Sequence, residues 1–269
     1  MKGSDTQCHR TDNHVLPNDV AAVNRNFGPN RDQLCNSASG NTHSDPTPTP
    51  IVLACDPTAR QECYYLWTWT WDEDSCTCYC DENLGCFTPV LVDVNGNGFD
   101  MTDAAGGVNF DMASNGVPAR ISWTAVGSDD AWLVLDRNGD GVVNNGAELF
   151  GNATSQPTPP VGVNKNGFNA LAEYDKAANG GNGDGVISDA DVVFASLRLW
   201  QDVNHNGVSE PTELHTLQNL GLKILDLDYS QSKRTDEFGN KFRHRSKVKD
   251  THGAQVGRWA WDVFLVTPH

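Results

Sequence analysis

After Cys86 the 269-residue chain contains no cysteine, and no apolar run in it exceeds five residues, the length of Ala131–Leu135. The second absence excludes a membrane-spanning helix, which needs about 20 apolar residues. Glutamate is scarce, with 8 Glu beside 27 Asp. Basic residues are few as well, 19 against 35 acids, for a formal charge of −16. A field of that sign excludes nucleic-acid binding through bulk charge. Common catalytic signatures are missing: there is no G-x-S-x-G, no Walker loop, no H-E-x-x-H and no His pair at helical spacing. The opening MKGSDTQCHR lacks the apolar core of a signal peptide, so no export signal is visible.

What is abundant is Asp, Asn and Gly, at 27, 25 and 25 residues. Short polar side chains bond their own backbone and Gly accepts positive φ, so this composition predicts many ordered polar loops. Such loops, rich in hard oxygen donors, suit Ca²⁺. A hydrophobic content of 38% with 23 aromatics speaks against disorder throughout. The acidity is concentrated in residues 89–230, with 19 acids and 6 bases, whereas residues 231–269 hold 4 acids and 8 bases.

Three regions follow. Residues 1–50 are polar and aperiodic, ending in the Pro/Thr linker SDPTPTP. Residues 51–88 hold six of the eight Cys, which predicts a small disulfide module and an oxidising compartment. The 15 possible pairings stay open. Within this module YYLWTWTW alternates, placing Trp67, Trp69 and Trp71 on one strand face. That stripe either packs on the module or stacks on sugars, which makes a glycan or cell-surface partner the adhesin reading. Residues 89–269 form the main domain. PVLVDV, GVNFDM, ARISWTA and AWLVLD read as strands. FNALAEYDKAA, DADVVFASL and PTELHTLQNL read as helices, the last from Leu214, Leu217 and Leu220 with Gly221 as its stop. LKILDLDYS and a hairpin turning at Thr251–Gly253 close the chain. The predicted class is α+β: short strands and hairpins around an EF-hand-like helix–loop–helix pair, with a small disulfide-rich N-terminal module.

The chemistry lies in the Asx/Gly loops. A calcium loop of the EF-hand type draws oxygens from positions 1, 3, 5, 7, 9 and 12, with Gly at 6. DVNHNGVSEPTE fills the register: Asp202, Asn204, Asn206, the Val208 carbonyl, Glu210 and Glu213. DRNGDGVVNNGAE offers Asp136, Asn138, Asp140, Val142 and Asn144, with its acid Glu148 one place late. GGNGDGVISDAD offers Asn182, Asp184, Val186, Ser188 and Asp191. Its position 1 is Gly180, so Asp175 or Asn179 would have to fold back, and the loop is expected to pair with the one at Asp202. DVNGNGFD offers Asp93, Asn95, Asn97 and the Phe99 carbonyl without an acid in register, although Asp100 and Asp103 are near. Asp111–Asn115 is too degenerate to assign. His205 is expected to point outward, and Asp129–Asp130 reads as a surface turn or an outer support of a calcium site rather than an acid–base pair. The cofactor predicted is Ca²⁺, with no nucleic-acid partner.

The region from Pro89 to about Val266 resembles the calcium-dependent self-processing module of bacterial RTX iron-regulated exoproteins, and related RTX-associated calcium-binding domains. The segments that carry the likeness are PVLVDVNGNGFD, SDDAWLVLDRNGDGVVNNGAELFGN, GFNALAEYD, NGDGVISDADVVFASLRLWQDVNHNGVSEPTELHTLQNLG and KILDLDYS. The resemblance implies a secreted bacterial protein that folds on Ca²⁺ outside the cell. In processing members, calcium-driven folding activates an Asp-Pro bond just before the first strand, the Asp carboxylate attacking its own carbonyl. Here that junction is Thr88-Pro89, and Thr cannot form the cyclic anhydride. The chain is therefore expected to be non-catalytic. Self-cleavage or isopeptide ligation at Asp45-Pro46 or Asp56-Pro57 is the rival reading.

Overall fold

The apolar segments of this acidic chain are short because they are strands buried on both faces. The computed structural model describes the backbone of 69–72 and 77–80, and residues 87–160, 164–255 and 257–267. All of them belong to the second of the two units into which the chain divides, Cys55–His269. The pairing of the Cys residues, the Trp side-chain stripe, the linker and both upstream Asp-Pro bonds lie outside what is described.

Strands β1 (Trp69–Asp72) and β2 (Thr77–Cys80) form a two-stranded ribbon, with Trp69 opposite Cys80 and Trp71 opposite Cys78. The main sheet contains β3 (Val90–Val92), β6 (Ala131–Leu135), β7 (Val186–Ile187), β8 (Leu197–Trp200) and β9 (Leu214–His215). It is completed by β10 (Leu222–Asp226), β11 (Ser230–Thr235), β12 (Lys241–Asp250) and β13 (Trp259–Phe264). The order is β7-β10-β12-β13-β3-β6-β8-β9, with β11 also on β12, and every pairing is antiparallel. A separate hairpin pairs β4 (Val108–Phe110) with β5 (Ala119–Ile121).

Alternation along the central strands builds two cores. Val90, Val92, Ala131, Leu133, Leu197, Leu199 and Ala260 pack with Phe168 and Leu171 of α1 (Gly167–Ala172) on one face. Leu91, Trp132, Val134, Trp200, Trp261 and Val263 pack with Val108, Phe110, Ile121 and Trp123 on the other. Trp123, Trp132 and Trp200 are fully buried, with ring centroids of Trp123 and Trp132 4.5 Å apart. Burial of such aromatics stabilises by about 2–3 kcal/mol each.

The expected α+β class is wrong: among the described residues the protein is mostly β, with one α-helix of six residues and no EF-hand helix pair. Only FNALAEYDKAA is helical, capped by the Asn166 side chain on the Asn169 amide. DADVVFASL gives a single 3-10 turn over Val192–Ala195. In PTELHTLQNL, Leu214 joins β9 opposite Trp200, and a 3-10 turn spans Gln218–Leu220 before Gly221 at φ 73°. The i, i+3 spacing of Leu217 and Leu220 equals the 3-10 period, so it does not require an α-helix.

Candidate calcium loops

Five polar loops share one backbone design. The carboxylate that opens each accepts amides further along the same loop: Asp93 from Gly96, Asn97 and Gly98; Asp136 from Gly139 and Gly141; Asp202 from Asn206 and Gly207; Asp111 from Asn115 and Gly116. In the third loop this place belongs to Asp175, which accepts Gly183 at 2.9 Å and Gly185 at 3.0 Å. Asp175 therefore folds back past five inserted residues, and Gly180 is not the opener. A Cβ on Gly181 would lie 2.1 Å from the Asp175 carbonyl carbon, so the two ends of the insertion touch.

The turns repeat position by position. The fourth and sixth places take positive φ in each: Gly96 and Gly98, Gly139 and Gly141, Gly183 and Gly185, Ser114 and Gly116, His205 and Gly207. Eight of these ten places use glycine at little cost, whereas Ser114 at φ 54° and His205 at φ 58° are strained. The amide of the seventh residue donates to the fifth side chain: Val142 to Asp140, Val186 to Asp184, Val208 to Asn206, Val117 to Asn115. The fifth amide donates to the third side chain in two loops, Asp140 to Asn138 and Asp184 to Asn182. The side chains of Asn95, Asn97, Asn138, Asn144, Asn182, Asn204 and Asn206 stay exposed or half-exposed, as the mouths of these loops.

The loops differ in how they are closed. Glu148, buried at 3% exposure, accepts the Arg137 and Asn144 amides, so the extra residue leaves its closing role intact. Asp191, equally buried, accepts the Asn182 and Ser188 amides. Glu213 closes the loop of buried Asp202, but only one of its oxygens is engaged, by the Trp200 ring nitrogen at 3.4 Å. Glu213 Oε1 and Glu210 Oε2 are buried atoms that only each other's carboxyl meets, while Glu210 Oε1 accepts the Asn206 side chain. Burial and the neighbouring Glu210 push the Glu213 carboxyl above its ordinary range. The turn at Asp111 has Ala113 at its third place, and no carboxylate closes it within the loop. Phe99, at the seventh place of the Asp93 loop, lays its ring beside Phe242 at 5.1 Å.

Two expected relationships are overturned. The loop ending at Asp191 does not pair with the one at Asp202. Its Val186 and Ile187 form β7 against β10 instead. The loop at Asp202 meets the loop at Asp136, through Ser209 Oγ and the Val143 amide at 2.6 Å, both eighth in their loops. Nor does His205 point outward: its ring nitrogens sit 2.6 Å from the Thr124 carbonyl and 2.7 Å from that of Gly106. Loop periodicity carries no signal for such a docking, because the partners are 81 and 99 residues away.

Asp129 and Asp130 are not a surface turn. Asp130 is 1% exposed, and one oxygen each of Asp93, Asp129 and Asp130 lie within 4.8 Å of one another. Burial pushes Asp130 up to about 7 and raises Asp93 as well.

At the junction before β3, Thr88 is buried and exchanges two hydrogen bonds with Asn152, one from its amide at 3.0 Å and one to its hydroxyl at 3.1 Å. Its hydroxyl also meets the buried Asp262 carboxylate.

Residues 90–265 match the family model described as the SPM domain. The chain is also 38% identical over 169 residues, 62% of its length, to iron-regulated protein FrpA of Neisseria meningitidis serogroup C. That match spans 14% of the relative's own length.

Proposed function

We propose that this chain, which belongs to the SPM domain family through residues 90–265, is a secreted bacterial module whose Asx/Gly loops bind Ca²⁺ and whose folding outside the cell is driven by that binding. The observation that carries this reading is the pair of buried carboxyl oxygens, Glu213 Oε1 and Glu210 Oε2, which face each other and which no other protein donor satisfies, in the loop opened by Asp202. Leaving charged oxygens buried without partners is costly, and a cation relieves that cost. The donors are all oxygens, which suits a hard ion. Asp202, Asn204, Asn206, the Val208 carbonyl, Glu210 and Glu213 would hold it. The loops of Asp136 and Asp175 offer the same donor chemistry, closed by Glu148 and Asp191.

Metal-free, residues 89–230 carry 13 more acids than bases, and this self-repulsion opposes compaction. Bound ions would offset it and couple binding to folding. Calorimetric melting in millimolar Ca²⁺ and in chelator tests the reading: a clearly higher Tm with Ca²⁺ is expected, and equal values would sink it.

On the same reading the chain is non-catalytic at the Thr88-Pro89 junction. Thr88 has no carboxylate to attack its own carbonyl, and its hydroxyl is held by Asn152. An intact mass after prolonged incubation with Ca²⁺ is expected, and a new fragment beginning at Pro89 would overturn this.

A further inference from the structure

The Asp93 loop lacks a closing acid of its own, and the sheet supplies one. Strands β3 and β6 pair with Leu91 opposite Trp132 and Val92 opposite Ala131. One step further along this register, Asp93 stands opposite Asp130. Like charges facing each other across a strand pair are destabilising, and both of these are buried, at 4% and 1% exposure. Asp129 adds a third carboxylate to the group.

Asp93 spends both oxygens on its own loop amides, as every opener here does. Asp129 holds the Asn95 amide and the Asn97 side chain, drawing the third and fifth residues of that loop toward it. Asp130 Oδ2 accepts the Asp100 amide and the Ser128 hydroxyl, whereas Asp130 Oδ1 is buried with no partner at all. The two acids nearest in sequence meet other groups. Asp100 presents its amide to Asp130, and Asp103 turns onto the Gly106 amide.

We propose that Asp93, Asp129 and Asp130 form a Ca²⁺ site closed in trans, which clamps the end of β3 to the start of β6. Two facts carry it beyond a mere acidic cluster: the orphaned Asp130 oxygen, and a strand register that holds two buried carboxylates face to face. No His or Cys joins the group, so softer metals are disfavoured. Mg²⁺ keeps several waters and demands octahedral geometry, which suits two buried carboxylates fixed by a sheet poorly. Burial, with smaller contributions from Asp129 and Asp93, raises the proton affinity of Asp130. Because antiparallel pairing also aligns Trp132 with Trp200, the loop at Asp202 leaves β8 at this same end of the sheet. The clamp therefore fixes the strand ends from which that loop starts.

This proposal rests on the same chemistry as the proposed calcium binding but on different residues, and the test separates them. Calcium titration calorimetry is run on the full chain and on Asp129→Asn, Asp130→Asn and Glu213→Gln, with folding of each checked by circular dichroism. Asp130→Asn is expected to bind one ion fewer than the parent. Half-exposed Asp129→Asn, which leaves the core untouched, is expected to weaken one ion by about tenfold or more. Glu213→Gln should affect a different ion. If Glu213→Gln changes nothing while Asp130→Asn still removes an ion, the loop reading fails and the clamp stands. Unchanged stoichiometry and affinity in both Asp129→Asn and Asp130→Asn would overturn the clamp, as would full displacement of its ion by equimolar Mg²⁺.

Discussion

His244 Nδ1 lies 3.2 Å from Asp262 Oδ2, both side chains buried between β12 and β13. Asp262 Oδ1 also accepts the Gly167 amide at the start of α1, 2.8 Å away. One carboxylate thus joins two neighbouring strands, the only α-helix among the described residues and Thr88 ahead of β3. Burial raises the Asp262 pKa, against the opposing pull of His244. A raised carboxyl contributes stability that is complete below the ordinary carboxylate range and is lost as pH rises through its raised value. Asp262→Asn should therefore destabilise by about 1–3 kcal/mol at low pH, through its lost hydrogen bonds, and the deficit should shrink toward neutral pH. Urea unfolding at a series of pH values measures this, and a deficit that grows with pH would contradict it.

Excision of Lys176–Gly180 should leave the third loop working. Asp175 already contacts Gly181, and joining them gives Asp175 followed by GNGDGVISDAD, an uninterrupted twelve-residue register. Loss of a short exposed excursion changes loop entropy by less than about 1 kcal/mol. Calorimetry should find calcium affinity within about threefold of the parent. Asp175→Asn is the contrasting variant: it removes the opener's charge and should abolish this ion's binding while leaving the others.

His205→Ala should destabilise in spite of being a surface-loop change. The left-handed φ stays unfavourable by about 1 kcal/mol, and both ring contacts to the Thr124 and Gly106 carbonyls vanish. A loss of about 2 kcal/mol in thermal or urea unfolding is expected. His205→Gly removes the strain and should lie between the two.

Thr88→Asp should create the reactive dipeptide in a folded context. Asp262 stands beside the new side chain, and burial favours its protonated form, which can donate to a neighbouring oxygen. Addition of Ca²⁺ is expected to release a fragment that begins with Pro89, seen by mass spectrometry. An uncut variant that still folds on Ca²⁺ would show that this one residue does not suffice for cleavage.

Much of the chemistry is local and can be read in order along the chain. Asp at the first place, Asn or Asp at the third and fifth, and Gly at the sixth dictate the turn in the loops without an insertion, since their opening bonds are made within about five residues. That is why the loops of Asp136 and Asp202 stand where the register puts them. The degenerate Asp111 turn shows the limit: its backbone matches the others while its third place, Ala113, offers no side-chain donor.

Two of the three expected helices did not form, for a different reason. Leu214, Leu217 and Leu220 satisfy a helical stripe and a strand-plus-turn equally well, and only the pairing of Leu214 with Trp200 decides between them. Local spacing is a weak prior against such a tertiary contact.

The sequence by itself determined the acidic, oxygen-rich loops, the turn residues and the apolar strands, because these depend on neighbours along the chain. Tertiary structure alone decided which loop meets which, that Asp175 reaches over its insertion, and that Asp130 faces Asp93. Strand register brings together residues 37 positions apart with a precision of one residue, and no pattern along the chain encodes that distance.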